Sequence, residues 1–325
     1  MTEPGTVKIE AVAFDLQTKQ RGLWSQAFQR LIRNRLAMLG GIVLSGIVLM
    51  SVLTSLVPAI ENHEPSTFPR PLTLEDVHSG PDLTNYLGTD HLGRDLWARM
   101  WEGIRISLRV GIGTQVLVLA TGLAIGAGAA LGGRLTENVL MRFTDLTYAF
   151  PDLLAIILLR AVLADRDWAI IGRGAPQIPG LPGPLLVVIV AISLVAWVTT
   201  ARLVRGQMLT LKEADYVMAA KALGASPRRV VFVHMLPNTL GPVIVTVTFG
   251  IPLAIFAEAV LGFLGFSLPA PTASLGTLVN DGLGYYRLNL WELMVPSVAI
   301  ATLMLCFTFI GDGLRDALDP RSRND

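Results

Sequence analysis

The side chains best suited to chemistry are few, and their spacing does not support it. The histidines, His63, His78, His91 and His234, are scattered, with no HExxH or other metal-ligand spacing. No lysine follows a glycine, so there is no G-x-x-x-x-G-K-[ST] phosphate loop, and no G-x-S-x-G nucleophile elbow appears. The single cysteine, Cys306, rules out an internal disulfide framework and sits in an apolar run as a small hydrophobe. No catalytic group, metal or cofactor is therefore expected in this chain, and its energy must come from outside. Two kinds of polar residue still need a purpose. Asp145, Asp152 and Glu258 fall inside apolar runs, where a charge is costly unless paired or wetted. The segment Tyr216–Asn238, reading YVMAAKALGASPRRVVFVHMLPN, carries basic and turn-forming residues between two apolar runs. Its chemistry is recognition: it looks built to be gripped by another protein.

The local elements follow from residue types. Ala219–Leu223 is a helix-forming run that Gly224 can close with a left-handed cap. Ser226 offers an N-cap oxygen and Pro227 suits the first turn of a second helix. That helix carries Arg228, Arg229 and His234 among Val230, Val231, Phe232 and Val233, and Leu236-Pro237 is expected to stop it. The expectation is two short helices joined by a glycine corner.

The chain around this segment reads as membrane. Of 325 residues, 52% are hydrophobic and 16% charged, with mean hydropathy +0.55, whereas soluble domains carry about 25% charged residues. Six apolar runs are long enough to span: Ala37–Ile60, Val110–Gly133, Phe143–Leu163, Pro184–Ala201, Thr239–Phe266 and Leu293–Ile310. The second holds Gly122 and Gly126 in a small-xxx-small pattern suited to close packing. Gln20–Met38 reads as an amphipathic helix on the membrane surface, with Leu23, Trp24, Phe28, Leu31 and Ile32 beside Arg30, Arg33 and Arg35. The first apolar run starts too late for a cleavable signal peptide and is expected to stay as an anchor. The expected organisation is a cytoplasmic tail with the amphipathic helix (1–36), a first transmembrane helix (37–60), an extracytoplasmic loop (61–107), a core of five further spans (108–314) and a cytoplasmic tail (315–325). Of 26 Lys and Arg, 17 fall on the side of the termini and the Gly224 loop, which places both termini and that loop in the cytoplasm. The net charge of +1, without a basic arm, gives no sign of nucleic acid. Pro269, Pro271, Gly276, Gly282 and Gly284 suggest a structured or re-entrant segment, and 166–184 should complete the outer rim.

At this point the segments align with a known pattern. The loop resembles the EAA loop of ATP-binding-cassette importer permeases: E-A-A, three residues, Gly, nine residues, I-x-L-P. Here the matching positions are Met218-Ala219-Ala220, Gly224 and His234-Met235-Leu236-Pro237, with Met218 in place of Glu and His234 in place of Ile. Leu87–Gly111, Ala201–Ala220, AEAVLGFLGF at Ala257–Phe266 and GDGLRDALDPRSR at Gly311–Arg323 resemble the C-type permease subunit of dipeptide and oligopeptide importers, in the same order. Thr308 stands where that family usually has Asn, and Leu275 where it often has Trp. The resemblance covers residues 24–323.

It implies an all-α, six-helix type I importer permease that translocates di- or oligopeptides, or a nickel chelate or another small solute, across the bacterial cytoplasmic (inner) membrane. It implies a homologous second permease, one or two ATPase subunits holding ATP and Mg, and an extracytoplasmic substrate-binding protein. By resemblance, Ala219, Ala220, Gly224, Ser226, Pro227, Arg228, Arg229, His234, Leu236 and Pro237 couple to the ATPase. Gly224 would make the turn, Ala219 and Ala220 would let the ATPase come near, and Arg228 and Arg229 would pair with acidic groups at its rim. Asp152 and Glu258 are candidates for the pathway or for tying helices together at the subunit interface, with structural pairing preferred. Asp90, Arg94 and Asp95 either help dock the binding protein or brace their loop against the second span. A stand-alone channel or secondary transporter would explain the spans but not the loop. A membrane enzyme would need a catalytic cluster, which is missing.

Overall fold

In the computed structural model the described residues, which are 23–57, 65, 77–164 and 182–318, are mostly helical, with an irregular segment at 77–95. The elements are α1 (Leu23–Arg33), α2 (Arg35–Leu56), α3 (Leu96–Leu131), α4 (Arg134–Tyr148), α5 (Asp152–Ala164) and α6 (Gly183–Lys212). After these come α7 (Asp215–Ala222), α8 (Pro227–Phe263), α9 (Leu275–Tyr285) and α10 (Trp291–Leu318). Five helices are each long and apolar enough to cross a membrane, and the bent pair α4–α5 makes a sixth crossing if counted as one.

The third expected span, Phe143–Leu163, is not one straight rod. Its halves α4 and α5 meet at 93°. Pro151 explains the break, because its ring disfavours helical backbone in the preceding residue, Phe150. Helix α5 restarts just beyond, with Ala155 N–H bonded to the Pro151 carbonyl at 3.0 Å. Two other runs extend further than expected. Helix α6 continues past Ala201 to Lys212, so Arg202 and Arg205 lie on a helix and not in a loop. With 36 residues, α3 is about 54 Å long, well beyond the roughly 30 Å of hydrocarbon, and projects at its N-terminal end.

The amphipathic segment ends earlier than expected. Asn34 accepts from Leu36 N–H at 3.1 Å and Ala37 N–H at 3.2 Å, capping α2 and separating it from α1. Helix α1 exposes Phe28 and Ile32, the face an interfacial helix would lay in lipid.

Packing centres on α3 against α6. A side chain at Gly126 would come within 2.5 Å of the Ala201 carbonyl, and one at Gly122 within 2.7 Å of Thr200, so the small-residue pattern marks a real close approach. One apolar core joins α3, α5, α6 and α8 through Ile106, Ile156, Val188, Ile192 and Ala254. A second joins α3, α8, α9 and α10 through Trp101, Leu108, Ile255, Leu275 and Leu303. At 11 residues, α9 is too short to span, in keeping with a structured segment between Phe263 and Trp291. Residues 58–64, 66–76 and 165–181 of the expected span end, outer loop and rim lie outside the described residues, as do 1–22 and 319–325 of the expected tails.

Candidate functional site: a glycine-corner loop, a cavity and a closed cap

The Gly224 corner is built as the residue types require. Helix α7 ends in a Schellman arrangement, with Ala225 N–H on the Ala220 carbonyl at 3.0 Å and Gly224 N–H on the Lys221 carbonyl at 2.9 Å. Gly224 has φ +84°, a region that strains any residue with a Cβ. Ser226 accepts from Arg229 N–H at 3.4 Å and Pro227 takes the first helical position.

The end of the second helix corrects the sequence reading. Pro237 does not stop it. Residues Val230–Met235 widen into a π turn, in which Leu236 N–H bonds to the Val231 carbonyl, and the helix runs on to Phe263. The wider turn makes room for the proline ring and its missing donor. The segment after the glycine corner is therefore the first part of a spanning helix.

One side of the loop is anchored and the other is bare. Val217, Met208, Val230, Met235 and Val204 are buried together where α6, α7 and α8 meet. Asn238 donates to the His234 carbonyl at 2.7 Å and to the Tyr216 hydroxyl at 3.4 Å, tying α7 to α8. Outward, Ala219, Gly224, Arg228 and Arg229 are exposed and Ala220 is half-buried. Leu223 is 89% exposed and Met218 50%, an apolar tip with no covering. Leu223 was missed in the sequence; its sign was an apolar residue directly before a turn glycine. On the flank of α6, Arg202 donates to Asp145 at 2.8 Å and lies 4.5 Å over the Tyr148 ring. Arg205 donates to Glu137 at 3.0 Å. Asp145 is thus a paired group linking α4 to α6.

The two deep acids separate. Glu258 is 0% exposed and accepts from Ser107 at 3.0 Å and Ser267 at 2.8 Å, tying α8 to α3 and to the segment before α9. Asp152 is exposed and opens into a cavity of about 680 Å³ between α3, α5, α6 and α8. The cavity wall is mostly apolar, including Ile156, Ile192, Val195, Phe249 and Leu253, with Gln115 and Thr199 adding polarity.

At the opposite end lies a closed cap. Asp90 accepts from Arg94 Nε at 2.8 Å and pairs with Arg99, while Arg99 reaches Asp281 of α9 at 3.4 Å. His78 pairs with Glu292 of α10, and His91 stacks on Tyr285 at 4.8 Å between ring centres. Asp95 caps α3 by accepting from Trp97 N–H at 3.0 Å. Asp90, Arg94 and Asp95 are all buried, so of their two expected roles the geometry supports bracing. Burial pushes the Asp90 carboxyl up, but Arg99, Arg94 and backbone amides outweigh it and hold it below its usual value. Burial pulls the His91 imidazole down, ahead of the opposing pull of Asp90 and Asp281.

Comparison with known proteins agrees with this arrangement. Residues 121–324 match the family described as binding-protein-dependent transport system inner membrane component. Residues 22–72 match the N-terminal TM domain of oligopeptide transport permease C. The chain is 38% identical over 308 residues to the oligopeptide transport system permease protein OppC of Bacillus subtilis (strain 168), covering 95% of this chain and 93% of that protein. It is 37% identical over 302 residues to the dipeptide transport system permease protein DppC of the same organism, covering 91% and 85%. The fold resembles that of the MetNI methionine ABC transporter in an inward facing conformation, with TM-score 0.55 at 18% identity, covering 69% of this chain and 97% of that one.

Proposed function

The chain belongs to the binding-protein-dependent transport system inner membrane components, as an ATP-binding-cassette importer permease, and from that membership we propose that it carries di- and oligopeptides across the bacterial cytoplasmic membrane. The observation that carries the coupling role is the Gly224 loop, rigidly capped yet exposing Leu223 and Met218. In this reading a nucleotide-binding ATPase, holding ATP and Mg²⁺, receives the loop in a groove. Gly224 makes the corner, Ala219 and Ala220 allow close approach, and Arg228 and Arg229 meet acidic groups at the rim. Both termini lie on that cytoplasmic side. The chain itself catalyses no reaction.

The mechanical path follows from packing. Closure of the ATPases displaces α7, and α7 cannot move without α6 and α8, to which Val217, Met208 and Met235 lock it. Helix α8 is one 37-residue rod from the corner to the cap end, so displacement at Pro227 is delivered along the cavity wall. Arg202 and Arg205 carry the same motion to α4. A homologous second permease closes the open side of the cavity, and a substrate-binding protein delivers cargo at the cap, whose shape Asp90, Arg94 and Asp95 maintain from within. Glu258 holds helices together.

The test is co-expression with its ATPases, sister permease and binding protein, followed by reconstitution into vesicles. ATP-dependent uptake of trialanine is expected only with the ATPases present. Uptake without them would point to a stand-alone transporter and defeat the reading.

A further inference from the structure

We infer that Asp152 is the site in the translocation cavity that receives the protonated amino terminus of the cargo, an inference that rests on the peptide reading above. Asp152 stands at the restart of the broken span. Helix α5 has 13 residues, so about 20 Å of apolar helix separate this carboxylate from Ala164 at the far end. Its side chain is exposed to the cavity, and no described residue gives it a hydrogen bond or an ion pair. Among the described residues that line the cavity there is no Lys, Arg or His, and Asp152 is the one charge there.

An acid in an apolar span is expensive unless paired or wetted. Glu258, at the other deep position, is satisfied by serine hydroxyls. Asp152 has no such partner among the described residues and stands exposed in the cavity, where a cation carried by the cargo can reach it. A peptide supplies a suitable one wherever its sequence varies, because the α-amino group is largely protonated at neutral pH, with an ordinary pKa of about 7.7–8.0. The apolar walls leave side chains unspecified, while Gln115 and Thr199 offer hydrogen bonds to a peptide backbone. One fixed anionic contact in a wide apolar cavity recognises the feature that free peptides share and ignores the features in which they differ.

The test uses the assembled importer without its binding protein, so that the binding protein's own selectivity does not enter. Calorimetric titration with trialanine and with N-acetyltrialanine, which lacks the cation, compares the two ligands. Wild type is expected to bind trialanine about tenfold more tightly, or about 1.4 kcal/mol. Asp152→Asn should erase that preference and Asp152→Glu should restore it. Equal affinities in wild type, no measurable trialanine binding, or a preference intact in Asp152→Asn would overturn the inference. So would release of the sister permease by Asp152→Asn, since the carboxylate would then serve the subunit interface. ATP-driven trialanine uptake by wild-type vesicles is measured in parallel. Its failure would defeat the peptide reading, whereas uptake without an amino-terminal preference would defeat only the role of Asp152.

Discussion

The two ends of this bundle treat their polar and apolar groups in opposite ways. At the cap end, charged residues are buried and consumed by one another: Asp90 is 1% exposed, Arg99 3%, and they form a network with Arg94 and Asp281. At the loop end the backbone is equally well capped, but Leu223, Met218, Phe232 and Val233 face outward with nothing over them. A surface whose hydrogen bonds are complete and whose apolar side chains are not is a surface awaiting a partner. The cap's charges are paired within the chain, and it acts by holding shape. In the proposed reading the loop is completed by another protein and acts by being moved.

Breaking the self-sufficient end should have the largest effect. Asp90→Ala would leave the Arg94 and Arg99 guanidiniums buried without their main counter-charge, at a cost of about 3–5 kcal/mol. The measurement is the thermal midpoint of the purified permease in detergent, and an unchanged midpoint would contradict the bracing role. At the loop end the same assay should barely move while partner binding suffers. Ala220→Trp is expected to weaken capture of the proposed ATPase by about 2 kcal/mol, roughly 30-fold, with permease stability retained. Wild-type ATPase affinity in that variant would show that the Ala220 side of the corner is not gripped.

Smaller effects sharpen the contrast. Gly224→Ala places a Cβ at φ +84° with no neighbour within 4 Å, so it should cost about 1–2 kcal/mol of local strain without any clash. Hydrogen exchange at residues 219–226 should accelerate while exchange in α3 does not. The smallest effect is one of pH. His91 titrates below its usual 6.5 in the folded chain, so the unfolded chain binds the proton first as pH falls. The stability that depends on neutral His91 is full above 6.5 and declines below it, and His91→Gln should flatten that part of the midpoint-versus-pH curve. Asp90 is depressed below 3.8, so its contribution is full above that value and is lost as the pH falls through the folded-state pKa. It should leave the curve flat between about pH 5 and 8.

Much of this was legible in the residues because membrane and cap signals are local. The apolar runs located every spanning helix, Gly122 and Gly126 marked the α3–α6 contact, and Gly224, Ser226 and Pro227 fixed the corner. What escaped was set by geometry between distant residues or by competing local rules. Pro151 and Pro237 are both prolines beside helices, yet one accompanies a 93° break and the other is absorbed by a π turn. Nothing in their immediate neighbours distinguishes the two outcomes. The cap joins Arg99 to Asp281 across 182 positions, which no periodicity reveals. Glu258 and Asp152 looked alike as acids in apolar runs and differ only because Ser107 and Ser267 fold onto one of them.

In the proposed mechanism an ATPase drives this permease by gripping the exposed tip of the Gly224 corner. Leu223→Asp tests it most directly, because Leu223 is 89% exposed and its loss disturbs no packing within the chain. The measurement is ATP-driven trialanine uptake by vesicles holding the complete importer. Uptake is expected to fall to the level seen without ATP, with the permease's thermal midpoint and its association with the sister permease unchanged. Uptake at the wild-type rate would contradict it.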